Sequence, residues 1–97
     1  MAGDPQGRLS RALGHVRNAS AALLAGSDGA DTALLLGLAC LDLEDLFAEL
    51  EVVPAFIAAD LSPAGCIEEA MGLVEVEPDE VSVAIWAALL ALRTRLR

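Results

Sequence analysis

The segment that most constrains the fold spans residues 32–51 and reads TALLLGLACLDLEDLFAELE. Its first ten residues carry no charge, whereas five of the next ten are acidic. In an α-helix, which turns about 100 degrees per residue, this segment has two apolar stripes. The first stripe is continuous and should face a core: Leu36, Ala39, Leu43, Leu46, Phe47 and Leu50. The second stripe lies nearly opposite, in the uncharged half, and consists of Leu34, Leu38 and Leu41.

The side of this helix that carries the second stripe changes character along its length. One or two turns further on it bears Asp42, Asp45 and Glu49, so the outward face begins apolar and ends acidic. A helix of an antiparallel four-helix bundle needs one apolar face somewhat wider than about 100 degrees. A helix with two opposed apolar stripes therefore has more apolar surface than its neighbours in such a bundle readily cover.

The C-terminal helical pattern also has two apolar stripes. The core stripe consists of Val81, Ile85, Ala88, Leu89, Leu92 and Leu96, and the second stripe consists of Val83, Trp86, Ala87 and Leu90. Left exposed, such surfaces promote association. We therefore expect a protein interface formed by Leu34, Leu38, Leu41, Val83, Trp86 and Leu90. Alternatively, the protein packs irregularly, and the AFIAA segment or the third helix lies over the second helix, which contains residues 32–51.

Proline and capping residues divide the chain into helices. Asp4-Pro5 and Ser62-Pro63 are cap-then-proline signals, and Pro78 opens the last helix. We predict one domain, residues 1–97, with helices at about 5–25, 31–51, 63–74 and 78–96. The apolar segment VVPAFIAAD at 52–60 predicts a short helical turn packed through Phe56 and Ile57. The predicted fold class is all-α: a small four-helix bundle with an extra short helical turn between helices 2 and 3.

Composition indicates a soluble, cytoplasmic chain with no membrane partner. The N-terminus has no apolar signal region, and the charge-free runs are shorter than the roughly 20 residues of a membrane span. Cys40 and Cys66 lie in apolar helical patterns without a CxxC motif, which favours buried reduced thiols over a disulfide. Abundant alanine and leucine, with no lysine or tyrosine, are typical of a GC-rich bacterial genome.

The charges are distributed unevenly along the chain. All six arginines lie in residues 8–17 or 93–97, and residues 18–92 hold fourteen acids and no basic residue. This distribution and a net charge of −9 argue against nucleic-acid binding, which needs cations against phosphates. The two arginine clusters would form one small basic patch only if the first and last helices were neighbours. The acidic body either keeps the protein soluble or binds a basic protein partner.

Catalytic and metal-binding patterns are weak. Asp42, Asp45 and Glu49 share a helix face, but the Glu-x-x-His pairs of di-metal bundles are missing, so we expect a solvated acidic face with no metal and no cofactor. His15 falls on the polar side of the first helix, which predicts an ordinary surface histidine. No motif places Cys40 or Cys66 beside a histidine and an oxyanion hole, and we expect no enzyme activity.

Three functions remain open from the sequence. The leading hypothesis is a non-enzymatic helical protein that acts through protein–protein association, as a homodimer built on the second faces of helices 2 and 4. The alternative is an acidic regulator of the antitoxin or inhibitor type that binds a basic protein. The third is a small enzyme or ligand carrier with a pocket near Cys40, Cys66, Met71 and Phe56.

Overall fold

A computed structural model describes residues 5–25, 31–58, 60–74 and 80–96. Its four helices are α1 (Pro5–Ala25), α2 (Asp31–Glu49), α3 (Pro63–Leu73) and α4 (Glu80–Leu96). These ranges contain no strand. The predicted all-α four-helix fold is confirmed. The predicted cap at Asp4 and the predicted start of the last helix at Pro78 lie outside the described residues.

The start of α3 shows why the cap-then-proline pattern is informative. Ser62 has an extended backbone, and its hydroxyl oxygen accepts a 3.1 Å hydrogen bond from the Gly65 N–H. Pro63 occupies the first helical turn, where an amide hydrogen would have no partner within the helix. The predicted apolar face follows, with Ile67, Ala70, Met71 and Val74 all buried.

The helices lie around the bundle in the order α1, α2, α4, α3. α1 packs on α2 and α3, and α4 packs on the same two helices. No Cα atom of α1 lies within 8 Å of one in α4, and the same holds for α2 and α3. Because α1 and α4 occupy opposite corners, the arginines of these two helices do not form the shared basic patch that neighbouring helices would have made.

An extended segment, residues 52–58, leads from α2 toward α3, which lies at the diagonal corner of the bundle, and it crosses the outside of α1. We call it the strap. The Ala55 N–H donates to the Ser10 carbonyl (3.0 Å), the Ser10 hydroxyl donates to the Val53 carbonyl, and the Asn18 amide donates to the Ile57 carbonyl (2.9 Å). The strap therefore runs parallel to α1 and delivers the chain to the end of the bundle where α1 finishes.

The structure corrects the short helical turn predicted for this segment, because residues 52–58 are not helical. Between Ser10 and Asn18 α1 rises about 12 Å, at about 1.5 Å per residue. From Val53 to Ile57 an extended chain covers about 13 Å, at about 3.3 Å per residue, whereas a helix would cover about 6 Å. Phe56 does not pack down as predicted: it is 91% exposed, and only Ile57 of the pair lies against α1.

The strap makes α1 the most enclosed helix. Five consecutive residues, 12–16, are buried, and five consecutive helical positions cover the whole circumference. Gly14 allows this approach, since a Cβ atom there would collide with the Ala55 carbonyl oxygen and lie 2.7 Å from Ile57 Cγ1. The enclosure also corrects the prediction for His15, which is buried at 8% exposure, with an Nδ1 atom that has no hydrogen-bond partner among the described residues.

The core lies between the four helices and follows the predicted stripes. Leu36, Leu43 and Phe47 are buried on α2, and Ile85, Leu89 and Leu92 are buried on α4. The edges of the same stripes are partly buried against this core: Ala39, Leu46, Leu50, Val81, Ala88 and Leu96. The periodicity of α2 and α4 was therefore sufficient to identify their inward faces.

A Schellman motif ends α2. The Val52 N–H donates to the Phe47 carbonyl (3.4 Å) and the Glu51 N–H to the Ala48 carbonyl (2.9 Å). Glu51 has a φ of 59°, in the left-handed region where glycine is usual. Buried Val52 and Phe47 supply the apolar pair that accompanies this motif.

Replacing Gly14 should disrupt the contact between the strap and α1. We expect Gly14→Ala to lower the free energy of unfolding by about 2 to 3 kcal/mol, because a backbone carbonyl must move. Gly72→Ala is the matched control: nothing lies within 4 Å of a Cβ there, so better helix propensity should stabilise the protein by up to about 1 kcal/mol. Urea unfolding measures both, and equal effects would contradict this account of Gly14.

The left-handed residue at the end of α2 gives a second prediction. Glu51→Gly should raise the free energy of unfolding by about 0.5 to 1 kcal/mol, because a left-handed non-glycine residue costs about 1 to 2 kcal/mol and glycine's extra backbone entropy offsets only part of this. Ala48→Gly, on the exposed side of the last turn, should instead destabilise by up to about 1 kcal/mol. Thermal unfolding should move in opposite directions for the two variants.

Candidate functional site

Large apolar side chains are exposed along the outside of α2 and α4. Their exposed fractions run from 39% at Leu90 to 62% at Leu35. We call this set the outer face: Leu34, Leu35, Leu38, Leu41, Val83 and Leu90. Five of them belong to the interface predicted from the sequence, and Leu35 was missed because it lies between the two stripes on the helical wheel.

Trp86 behaves differently from the other residues of the predicted interface. It is half-buried and packs against the core cluster, so only part of its ring is available to another protein. Ala87 and Thr94 are exposed beside Val83 and Leu90 on α4. The outward side of α4 therefore exposes less of the Trp86 ring than the sequence suggests.

The path of the strap explains why the outer face stays uncovered. The AFIAA segment lies on α1, where Ala55 and Ile57 are bonded to Ser10 and Asn18. α3 lies diagonally opposite α2, and no Cα atom of α3 lies within 8 Å of one in α2. Among the described residues, neither the AFIAA segment nor α3 lies over the outward side of α2.

A shallow groove of about 390 Å³ runs between α2 and α4 beneath the outer face. Its walls are mostly apolar, with one acid and one arginine: Ala39, Asp42, Leu43, Leu46, Ala88, Ala91, Leu92 and Arg95. A second groove brings Arg95 beside Thr32, Leu35 and Leu36. The C-terminus of α4 thus lies next to the N-terminus of α2, and the two helices are antiparallel.

This antiparallel arrangement separates most of the charges along the outer face, although Asp42 lines the same groove as Arg95. Asp45 and Glu49, near the end of α2, lie at the same end of the bundle as Glu80, at the start of α4; we call this the acidic end. Arg95 lies at the opposite end, which we call the arginine end. All four side chains are exposed. The three acids and Arg95 are far apart in the sequence, which does not show that they lie at opposite ends of two adjacent helices.

The acids of α2 are not assembled with other ligands. Asp42, Asp45 and Glu49 are exposed along one helix, and within the described ranges no group of three or more His, Cys, Asp or Glu residues is placed to hold a metal ion. None of the described helices is long and apolar enough to cross a membrane.

Polar side chains join α1 to α2, a contact that the sequence did not reveal. The Ser20 hydroxyl donates to Glu44 Oε2 (3.1 Å), and Arg17 Nε lies 3.6 Å from Glu44 Oε1. Leu24 packs where Gly37 leaves room, since a Cβ at Gly37 would lie 2.7 Å from Leu24 Cδ2. These contacts hold the side of α2 that faces α1.

Cys40 and Cys66 are free, buried thiols, as the sequence predicted. A disulfide requires Cα atoms less than about 7 Å apart, and no Cα of α2 lies within 8 Å of a Cα of α3. Burial, with smaller effects from Glu44 and Cys66, raises the pKa of Cys40 to about 11. Burial also raises the pKa of Cys66. Both thiols are therefore protonated and unreactive near neutral pH.

The ligand pocket considered from the sequence is not assembled. Cys40, Cys66 and Met71 are in the core, whereas Phe56 is exposed on the strap. Neither of the two grooves between α2 and α4 is lined by Cys40, Cys66 or Met71.

Comparison of the chain with protein-family models, with curated proteins and with solved structures found no match.

The two cysteines predict how stability depends on alkaline pH. In the unfolded chain a thiol loses its proton near its ordinary pKa of 9.0, whereas folded Cys40 keeps its proton to about pH 11. The unfolded state then binds fewer protons, so the free energy of unfolding should fall as pH rises from 9 to 11. The chain has no lysine or tyrosine, so the pH dependence in this window comes from Cys40 and Cys66.

Urea unfolding at pH 8, 9, 10 and 11 tests this prediction. Cys40→Ala should remove most of the pH dependence relative to its own stability at pH 8, and the remainder should come from Cys66. A wild-type stability that stays constant from pH 9 to 11 would contradict the burial of a protonated Cys40.

Proposed function

We propose that this protein acts through protein–protein association, as a homodimer formed by the outer face of α2 and α4, and that it is not an enzyme. The observation that supports the proposal is the concentration of six large exposed apolar side chains on two adjacent helices. Scattered single apolar residues are normal on protein surfaces, whereas several large ones on two neighbouring helices are typical of an interface.

The size of the outer face suits a weak dimer. α4 has 17 residues and is about 25 Å long, and two adjacent helices are together about 20 Å wide, which gives roughly 500 Å² for each copy. Two copies then bury about 1,000 Å², within the range of transient interfaces. A two-fold axis uses the same patch twice, so each side chain contributes in both copies.

The free energy of association also predicts a weak dimer. The six side chains are roughly half exposed, so burying the remainder contributes about 1 kcal/mol each, or on the order of 10 kcal/mol for two copies. Association costs about 4 to 15 kcal/mol. The two terms are similar in size, so we expect a dimer whose population depends on protein concentration between micromolar and millimolar.

The second candidate function is an acidic regulator that binds a basic protein. Exposed acids on α2 and α3, among them Asp45, Glu49, Glu68 and Glu69, favour it. Such a complex would form faster at low salt, because opposite charges steer the encounter. Light scattering that shows a monomer at every concentration, together with salt-sensitive co-purification of a basic protein, would favour this second function over the dimer.

Size-exclusion chromatography with light scattering, over a range of concentrations, tests the homodimer directly. Leu38→Glu should increase the dimer dissociation constant at least tenfold, because it places a charge in the middle of the apolar patch. Phe56→Glu is the matched control: it makes the same change of charge at an exposed apolar residue on the strap, and it should leave the dimer unchanged.

Two results would overturn the proposal. One is a monomer at millimolar concentration. The other is a dimer that Phe56→Glu dissociates and Leu38→Glu does not, because that dimer would be formed by the strap rather than by α2 and α4.

A further inference from the structure

We propose that the two copies dock with α2 and α4 antiparallel to their counterparts, so that the arginine end of each copy lies against the acidic end of the other. This inference rests on the proposed homodimer and specifies its geometry. The observations that support it are the separation of charge along the outer face and the order of exposed residues along α4.

Only two simple two-fold arrangements stack one outer face on another. With the axis along the helices, each end meets the same end of the second copy: three carboxylates (Asp45, Glu49 and Glu80) meet the same three, and Arg95 meets Arg95. With the axis across the helices, each end meets the opposite end. Like charges placed face to face oppose association, so charge favours the second arrangement.

The outward residues of α4 match that second arrangement. Ala87 lies near the midpoint between Val83 and Leu90 and near the midpoint between Glu80 and Arg95. When two α4 helices cross antiparallel at Ala87, Val83 of each lies opposite Leu90 of the other, and Glu80 lies opposite Arg95. The small side chain of Ala87 at the crossing lets the two helices approach closely. The leucines of α2 in both copies then lie together beside this pair.

The alternative arrangement makes different contacts. With the axis along the helices, α4 of one copy lies over α2 of the other, and Ala87 is distant from its counterpart. The exposed position of Arg95 between α2 and α4 adds to the contrast, because in the antiparallel dimer it faces both Glu49 and Glu80 of the second copy.

A double-mutant cycle in the homodimer tests the orientation. Arg95→Glu and Glu80→Arg should each raise the dissociation constant about fivefold or more relative to a charge-matched change elsewhere. The double variant should recover most of the wild-type affinity. Within one chain these side chains are about 22 Å apart along α4, beyond the Debye length of about 8 to 10 Å, so coupling between them must arise between copies.

The charge-matched controls use exposed positions outside the outer face. Arg11 and Glu69 are exposed on α1 and α3. Arg11→Glu and Glu69→Arg make the same changes of net charge. They should alter the dissociation constant less than the changes at Arg95 and Glu80, and they should show no coupling to each other.

Cysteine cross-linking gives a second measurement of orientation. Ala87→Cys should form a disulfide-linked dimer under mild oxidation, because Ala87 meets its own counterpart only in the antiparallel arrangement. Thr94→Cys, exposed about 10 Å further along the same helix, should not. The native thiols of Cys40 and Cys66 are buried and do not compete.

The outcomes separate this inference from the proposed function. A dimer that Leu38→Glu dissociates, with no coupling between positions 80 and 95 and no cross-link at position 87, would overturn the orientation and leave the homodimer standing. A protein that remains monomeric would overturn both. Coupling together with an efficient cross-link at position 87 would establish the antiparallel dimer.

Discussion

The contact between the strap and α1 at Gly14 fixes the path of the chain from α2 to α3. A helix with a hydrogen atom in place of a side chain at this position lets an extended chain lie directly on its backbone. Three hydrogen bonds, involving Ser10 and Asn18 of α1, fix the direction of that chain. The connection can then cross from α2 to the diagonal corner where α3 begins, which sets the order of the helices around the bundle.

That order decides which surfaces are covered. α1 contacts α2, α3 and the strap, and is therefore enclosed along residues 12–16. α4 contacts only α2 and α3 among the described helices, and nothing described here lies outside α2 and α4. The strap thus lies on α1, and the exposed apolar side chains of α2 and α4 are left for the association that we propose.

Sequence patterns were reliable wherever short-range geometry decides the outcome. The cap at Ser62, the inward stripe of α2 and the inward stripe of α4 depend on residues three or four positions apart, and the structure contains all of them. The patterns failed at His15 and Phe56, whose environments depend on elements distant in sequence. His15 was assigned to a polar face because nothing in α1 itself indicates that other elements enclose it.

Helical periodicity is a local property, so the sequence alone predicts the four helices, their apolar stripes and the surplus of apolar surface on α2 and α4. Local patterns do not show that the connection after α2 is extended or that α1 and α4 are diagonal. They also do not show that Arg95 lies at the opposite end of the bundle from Asp45, Glu49 and Glu80. The reason is physical: the path of a connection depends on which distant backbone it can approach, and here a single glycine on α1 permits that approach.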